Sequence, residues 1–282
     1  MPGLSSSSFV CSFAPLCLAA VVVLGGSCGC SDTVPQSTLV ATPSDVDDFA
    51  VENESAAYDS TNDMIDEEQA YANTSQGQEA KRQRNNAMAN QFEQQMMRRA
   101  ATQAYAKNDL EQAVRLFNQL IRKYPEREPW LWERGIALYQ LGQFRKAAKQ
   151  FETHYTVNEN DVENTAWHLI CVARSPGQTL ELARRKLIEI DPSLDSRAVM
   201  SPIYELYAGR GSEEEVLKMA VEPRDVFYAN LYIGLLREAA GDAEGARPFL
   251  EKAAELGKEM IGTMGAVPVV HLQRLDNPPA DQ

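Results

Sequence analysis

One helix pattern recurs at a fixed interval, and this recurrence constrains the chain more than any other feature. It is clearest from Trp130 to Phe151, WLWERGIALYQLGQFRKAAKQF. Leu131, Gly135 and Leu138 follow helical spacing, the pattern breaks at Leu141-Gly142-Gln143, and Phe144, Ala147, Ala148 and Phe151 resume it. Two short helices joined by a tight turn account for this. Gly135 and Ala147 carry almost no side chain, so a neighbouring helix can come close there. The second-helix pattern is Ala, a large residue four on, and a contact residue three further. It fits Ala113, Phe117 and Leu120 (then Pro125), Ala147, Phe151 and His154, and finally Ala246, Leu250 and Ala253. The last copy follows Gly234 and the turn Gly241-Asp242. Ala113 to Ala147 is 34 residues, and Ala147 to Ala246 is 99, three steps of 33. Two weaker copies lie between: one marked by Leu180, Leu187 and Pro192, one shortened between Ile203 and Ala220 with its turn at Gly209-Arg210-Gly211-Ser212. A single hairpin of this size cannot bury its own apolar face, so the copies must stack.

The layout and period resemble the tetratricopeptide repeat, a helix–turn–helix unit of about 34 residues. The predicted fold is therefore all-α, a right-handed tetratricopeptide-repeat superhelix of about five helix pairs plus a capping helix over residues 87–275. The pairs are Ala87 to Lys107 with Leu110 to Lys123, the two helices of the 130–151 stretch, Trp167 to Ala173 with Leu180 to Ile190, Pro202 to Ala208 with Glu213 to Met219, and Phe227 to Ala240 with Ala243 to Leu256. Ser212 and Glu215 form a capping box, and Val267 to Leu275 covers the open end of the stack. Residues 276–282 form a disordered tail.

Charge is distributed unevenly along the chain. Of its 40 Asp and Glu, twelve lie in residues 31–80, which carry no Lys or Arg. The remaining 28 acids face all 27 bases, so the repeat region is nearly neutral. Nucleic acid is not an expected partner, because phosphate binding needs a surplus of Lys and Arg on one face. Residues 28–86 read as an acidic disordered spacer, polar and without helical or strand periodicity. Residues 1–27 read as an export signal. Phe13 to Leu24 is an apolar run too short for a bilayer, which needs about 20 residues, and small residues and Cys28 follow. This stretch resembles a bacterial lipoprotein signal, which implies a lipid on Cys28 and a membrane anchor facing the periplasm or the cell exterior. Gly25 stands where that signal carries Leu, and Cys30 or plain secretion is the alternative.

No catalytic constellation, metal site or cofactor motif stands out, so a non-enzymatic chain is expected. His154 falls at a packing position, and Cys171 sits in an apolar run that predicts a buried, inert thiol. The first helices of stacked pairs line a concave groove. The repeat register assigns Arg98, Tyr105, Trp132, Tyr139, His168, Arg174, Tyr228, Leu231 and Glu238 to it, as a surface for protein partners. The alternative for these aromatics is packing between helices.

From about Glu128 to Leu275 the chain also resembles the NlpI family of envelope lipoproteins. The resemblance rests on Arg134-Gly135-Ile136-Ala137-Leu138-Tyr139, the Trp167-His168-Leu169 helix, Ile203-Tyr204-Glu205-Leu206-Tyr207, Leu231-Tyr232-Ile233-Gly234 with Gly241-Asp242, and a closing His271-Leu272 segment. It implies a lipid-anchored, often dimeric adaptor that brings peptidoglycan hydrolases and a processing protease together. A structural or assembly subunit of an envelope or secretion complex is the alternative.

Overall fold

The computed structural model describes residues 69–260 and 262–277, all within one compact unit. The expected signal at 1–27, the lipidation site Cys28, most of the acidic spacer and the tail beyond Asn277 lie outside the described residues. The described residues are helical and contain no strand. Eleven α-helices are named here: α1 (Ser75–Ala106), α2 (Leu110–Lys123), α3 (Trp132–Gln140), α4 (Phe144–Tyr155), α5 (Val162–Arg174), α6 (Leu180–Arg184), α7 (Met200–Ala208), α8 (Glu213–Met219), α9 (Pro223–Ala239), α10 (Ala243–Gly257) and α11 (Val267–Asp276).

Most successive helices pack as hairpins, and the small residues of the repeat sit where hairpins are tightest. A Cβ on Gly135 would stand 2.7 Å from the Phe151 ring, and one on Gly234 would stand 2.7 Å from Leu250 Cγ. The two pairs are 99 residues apart and make the same contact, so the register read from the sequence holds in three dimensions. Ala113, Ala147 and Ala246 are all fully buried. Gly142 and Gly241 turn the chain with positive φ, a conformation that carries no Cβ penalty for glycine. The Ser212–Glu215 capping box is formed in both directions.

Several boundaries differ from expectation: α5 starts at Val162 rather than Trp167 and α9 at Pro223 rather than Phe227, and two further differences have a visible cause. Helix α1 starts at Ser75, twelve residues before Ala87, inside the stretch assigned to the spacer. Its first turns expose polar side chains all round, so apolar periodicity could not reveal them. Gln, Glu, Lys, Arg and Ala favour helix intrinsically, and the Thr74 hydroxyl caps the start by accepting from the Gly77 N–H. Helix α6 stops at Arg184, six residues short of Ile190. The Arg184 guanidinium turns onto the Tyr207 carbonyl at 3.0 Å and lies against Gly209, tying the end of α6 to α7.

The larger difference concerns the groove. Helix α9 packs on α5 and α7, and α11 returns to touch α1 and α3. Every residue of α5 from Asn164 to Ala173 is buried, as is every residue of α9 from Phe227 to Leu236. The fifth pair and the cap thus occupy much of the inner face that an open superhelix would leave free. The sequence of α9, FYANLYIGLL, is apolar on all sides, as a helix enclosed by neighbours must be.

Candidate binding cleft

What remains of the inner face is a cleft of about 570 Å³ at the starting ends of α3, α5 and α9. Trp130, at the end of a 3-10 turn (Pro125–Trp130), and Trp132, on the first turn of α3, reach it. Asn164 and Trp167 come from α5, Arg224 and Tyr228 from α9, Arg98 from α1 and Arg197 from the segment before α7. Met264, between α10 and α11, completes one wall. Trp130 is 46% exposed, and Arg224 is also exposed; Arg98 and Trp132 are half-buried.

The charges around the cleft are mostly matched. Arg98 Nε donates to Glu133 Oε1 at 2.9 Å. Burial raises the Glu133 carboxyl above the usual range, and Arg98 opposes the shift. Arg197 donates from Nη2 to Asp195 at 2.7 Å and pairs with Glu163 through Nη1. The second Glu163 oxygen accepts from the Tyr232 hydroxyl at 2.7 Å. Burial pushes Glu163 up, while Arg197 counteracts. Tyr228 lies between two cations, Arg197 at 4.9 Å from its ring centre and Arg224 at 5.7 Å. The His154 ring donates from Nδ1 to the Pro129 carbonyl at 2.7 Å and holds Nε2 3.7 Å from Asp161. Burial alone would lower its pKa, but Asp161 and that carbonyl together raise it.

The opposite ends of α3, α5 and α9 are sealed. Tyr139 donates to Glu238 Oε2 at 2.6 Å, and Arg174 pairs with Glu238 Oε1. His271 stacks on Tyr139 at 6.1 Å, and its Nδ1 meets the Gln140 amide at 3.1 Å. Desolvation lowers the His271 pKa, and Glu238, 3.9 Å from Nε2, only partly offsets it. A space of about 140 Å³ is left there.

This arrangement corrects the groove assignment. Arg98, Trp132 and Tyr228 line the cleft, although Tyr228 presents little surface. Tyr139, Arg174 and Glu238 form the seal. Tyr105 and Leu231 are fully buried, and His168 is buried with its Nε2 3.6 Å from Glu152. These residues pack helix against helix because α9 and α11 cover the positions the register assigns to open groove. Trp130, Asn164, Trp167, Arg197, Arg224 and Met264 enter the cleft without having been singled out as groove residues. Trp130 carries a signal in the sequence, since a second large aromatic two residues before Trp132 exceeds what one packing position needs. His154 and Cys171 are buried as expected, and the thiol is held protonated by burial. Among the described residues no group of three or more His, Cys, Asp or Glu is placed to hold a metal ion.

Residues 98–160 match a family model described as tetratricopeptide repeat. The matched stretch runs from Arg98 on α1 to the loop after α4, so it spans most of the first two hairpins. Repeats of this kind mediate protein–protein interaction. No curated protein matches the chain.

Proposed function

We propose that the protein is a non-enzymatic adaptor of the bacterial cell envelope, held to a membrane through a lipid on Cys28 and receiving partner proteins at the cleft. The observation that carries this reading is the cleft itself. It is the part of the repeat inner face that α9 and α11 leave open, and it exposes Trp and Arg, the residue types that anchor interfaces. The match over 98–160 supports protein partners. The apolar run Phe13 to Leu24 followed by Cys28 supports export, and the resemblance to NlpI supports hydrolases and a processing protease as the partners. An adaptor of this kind works by effective concentration, because two proteins held together meet more often than free ones. No helix among the described residues is long and apolar enough to cross a membrane.

Two experiments test it. Labelled fatty acid should enter the wild type and not Cys28→Ala. Affinity capture from an envelope extract should recover hydrolase or protease partners with the wild type and lose them with Trp132→Ala. Unlabelled protein would remove the anchor, and full recovery by a folded Trp132→Ala would remove the cleft.

A second reading, a permanently assembled structural subunit or homodimer, draws on α1. Met88, Phe92 and Met96 stand four residues apart on that helix, 64%, 65% and 46% exposed. A concentration-independent large assembly of the purified protein would favour this reading over the adaptor.

A further inference from the structure

The wall of the cleft that carries Trp130 is tied down by two side chains one turn apart on α4. Gln150 donates to the Glu128 carbonyl at 2.8 Å, and His154 donates to the next carbonyl, that of Pro129, at 2.7 Å. Trp130 follows Pro129 directly, so whatever moves that carbonyl moves the base of the Trp130 side chain. Gln150 keeps its amide at every pH and is itself fixed by Arg134 Nη1 at 2.8 Å. His154 is the tether that can change its protons.

His154 also faces a second acceptor. Asp161 caps the start of α5, where Oδ1 accepts from the Glu163 N–H and Oδ2 from the Asn158 carboxamide, each at 2.9 Å. The carboxylate is thereby fixed, and Oδ2 lies 3.7 Å from His154 Nε2. Asp161 meets no guanidinium or ammonium within bridging distance among the described residues. The other charges near the ring are matched: Glu133 on α3 is held by Arg98, Glu163 on α5 by Arg197, and His168 on α5 meets Glu152. A neutral imidazole has one N–H and can serve only one of two acceptors, whereas the imidazolium serves both. With Nδ1 carrying the single hydrogen, the Nε2 lone pair confronts a carboxylate. A second proton turns that repulsion into a charge-assisted bond. The ring is rigid, so drawing Nε2 toward Asp161 draws the Pro129 carbonyl with it. Burial alone would lower the His154 pKa, but Asp161, the Pro129 carbonyl and Glu133 together raise it. The bridge is therefore made at low pH and lost as pH rises through a midpoint above about 6.5.

We propose that His154 is a proton-operated latch on the cleft: its protonated ring ties the Trp130 turn to the start of α5, and its neutral ring releases one of the two. The use of the latch rests on the adaptor reading. A Trp130 held in place is a preorganised anchor, so partner capture is favoured on the acid side of the midpoint.

The test needs no partner. The full-length protein is labelled with 5-fluorotryptophan, and its three tryptophans give three fluorine resonances, assigned with Trp130→Phe and Trp132→Phe. The His154 ring is followed in parallel through its carbon-bound protons. From about pH 5 to pH 9 the Trp130 resonance should move in one step, with the midpoint of the His154 ring and above about 6.5. Trp167, packed on Phe151 and Tyr139, should not share the step. In His154→Gln the Trp130 resonance should be flat. Asp161→Asn keeps the helix cap and removes the charge, and should lower the midpoint by about one pH unit. The inference is overturned if Trp130 ignores pH in the wild type, if Trp167 moves equally, if the step survives in His154→Gln, or if Asp161→Asn leaves the midpoint in place. Should His154→Gln not fold, Asp161→Asn decides alone. A Trp130 that ignores pH, in a protein whose partner capture depends on Trp132, removes the latch and leaves the adaptor reading standing. A working latch in a protein that captures nothing removes the adaptor reading alone.

Discussion

The two ends of the inner helices differ although the same three helices build both. At their starting ends α3, α5 and α9 spread around an open cleft with exposed Trp130 and Arg224. At their far ends Tyr139, Arg174, Glu238 and His271 converge and leave a smaller space of about 140 Å³. One carboxylate, Glu238, makes the difference, because it gathers a hydroxyl from α3 and a guanidinium from α5 onto α9. The register explains how: Tyr105, Tyr139 and Glu238 occupy equivalent repeat positions, 34 and 99 residues apart. An aromatic in the early repeats is replaced by an acid in the late one, and the acid pairs with what the aromatics and Arg174 present.

The largest expected effect comes from breaking the seal. Glu238→Ala leaves Arg174 without its partner and the buried Tyr139 hydroxyl without its acceptor, and should lower unfolding free energy by about 3 kcal/mol in urea denaturation. Glu238→Gln keeps an acceptor for Tyr139 and should lose less. If Glu238→Ala unfolds at the wild-type midpoint, the seal contributes nothing.

Next is the hairpin contact common to both ends. Gly135→Ala and Gly234→Ala each drive a methyl into a neighbour, the Phe151 ring or Leu250. Phe151 is stacked on Trp167 at 6.1 Å and cannot withdraw, whereas Leu250 has freer rotamers. Gly135→Ala should therefore lose about 2 kcal/mol and Gly234→Ala less, with the better helix propensity of Ala offsetting part of each. Equal Tm values for wild type and Gly135→Ala would contradict the close approach.

A third effect separates the ends by pH. His271, in the seal, titrates below its unfolded value of about 6.5, so the unfolded chain binds the proton first. Its contribution is present above that value and is lost as pH falls through it, by up to about 1.4 kcal/mol per pH unit. His168 behaves the same way, through burial opposed by Glu152. His154, beside the cleft, has a raised value, so its contribution is present at low pH and is lost as pH rises through the folded value. Unfolding followed from pH 7 to 5 should thus fall less steeply in His271→Gln than in the wild type and more steeply in His154→Gln. Parallel curves would show that neither ring is coupled to folding.

The smallest effect on stability belongs to the open end. Trp132→Ala, at a half-buried site, should lose about 1 kcal/mol or less in urea while reducing partner capture about tenfold. A large stability loss would mean that Trp132 packs the fold and does not serve the cleft.

The parts legible in the sequence are those fixed by local spacing. The hairpins from α1 to α4, the α9–α10 pair, the Ser212 cap and the Val267 closing helix all follow from periodicity, small residues and turn glycines within a few positions of one another. The polar start of α1 was hidden because a helix with no buried face leaves no apolar period. The early end of α6 depends on Arg184 reaching a carbonyl 23 residues away. The seal was hidden for the same reason, since Arg174 and Glu238 are 64 residues apart and either would read alone as a solvated charge or a groove anchor. Aromatics and charges on the inner face were visible as a set. Which of them would be covered depended on where α9 and α11 dock, and their local patterns do not specify that.

The most direct test places a photoactivatable amino acid at position 132, in the cleft, or at position 143, in the half-buried turn at the sealed end, and irradiates each protein in an envelope extract. Adducts with partner proteins from position 132, and none from position 143, are the expected result. Adducts from position 143 alone, or equally from both, would contradict recognition confined to the open end.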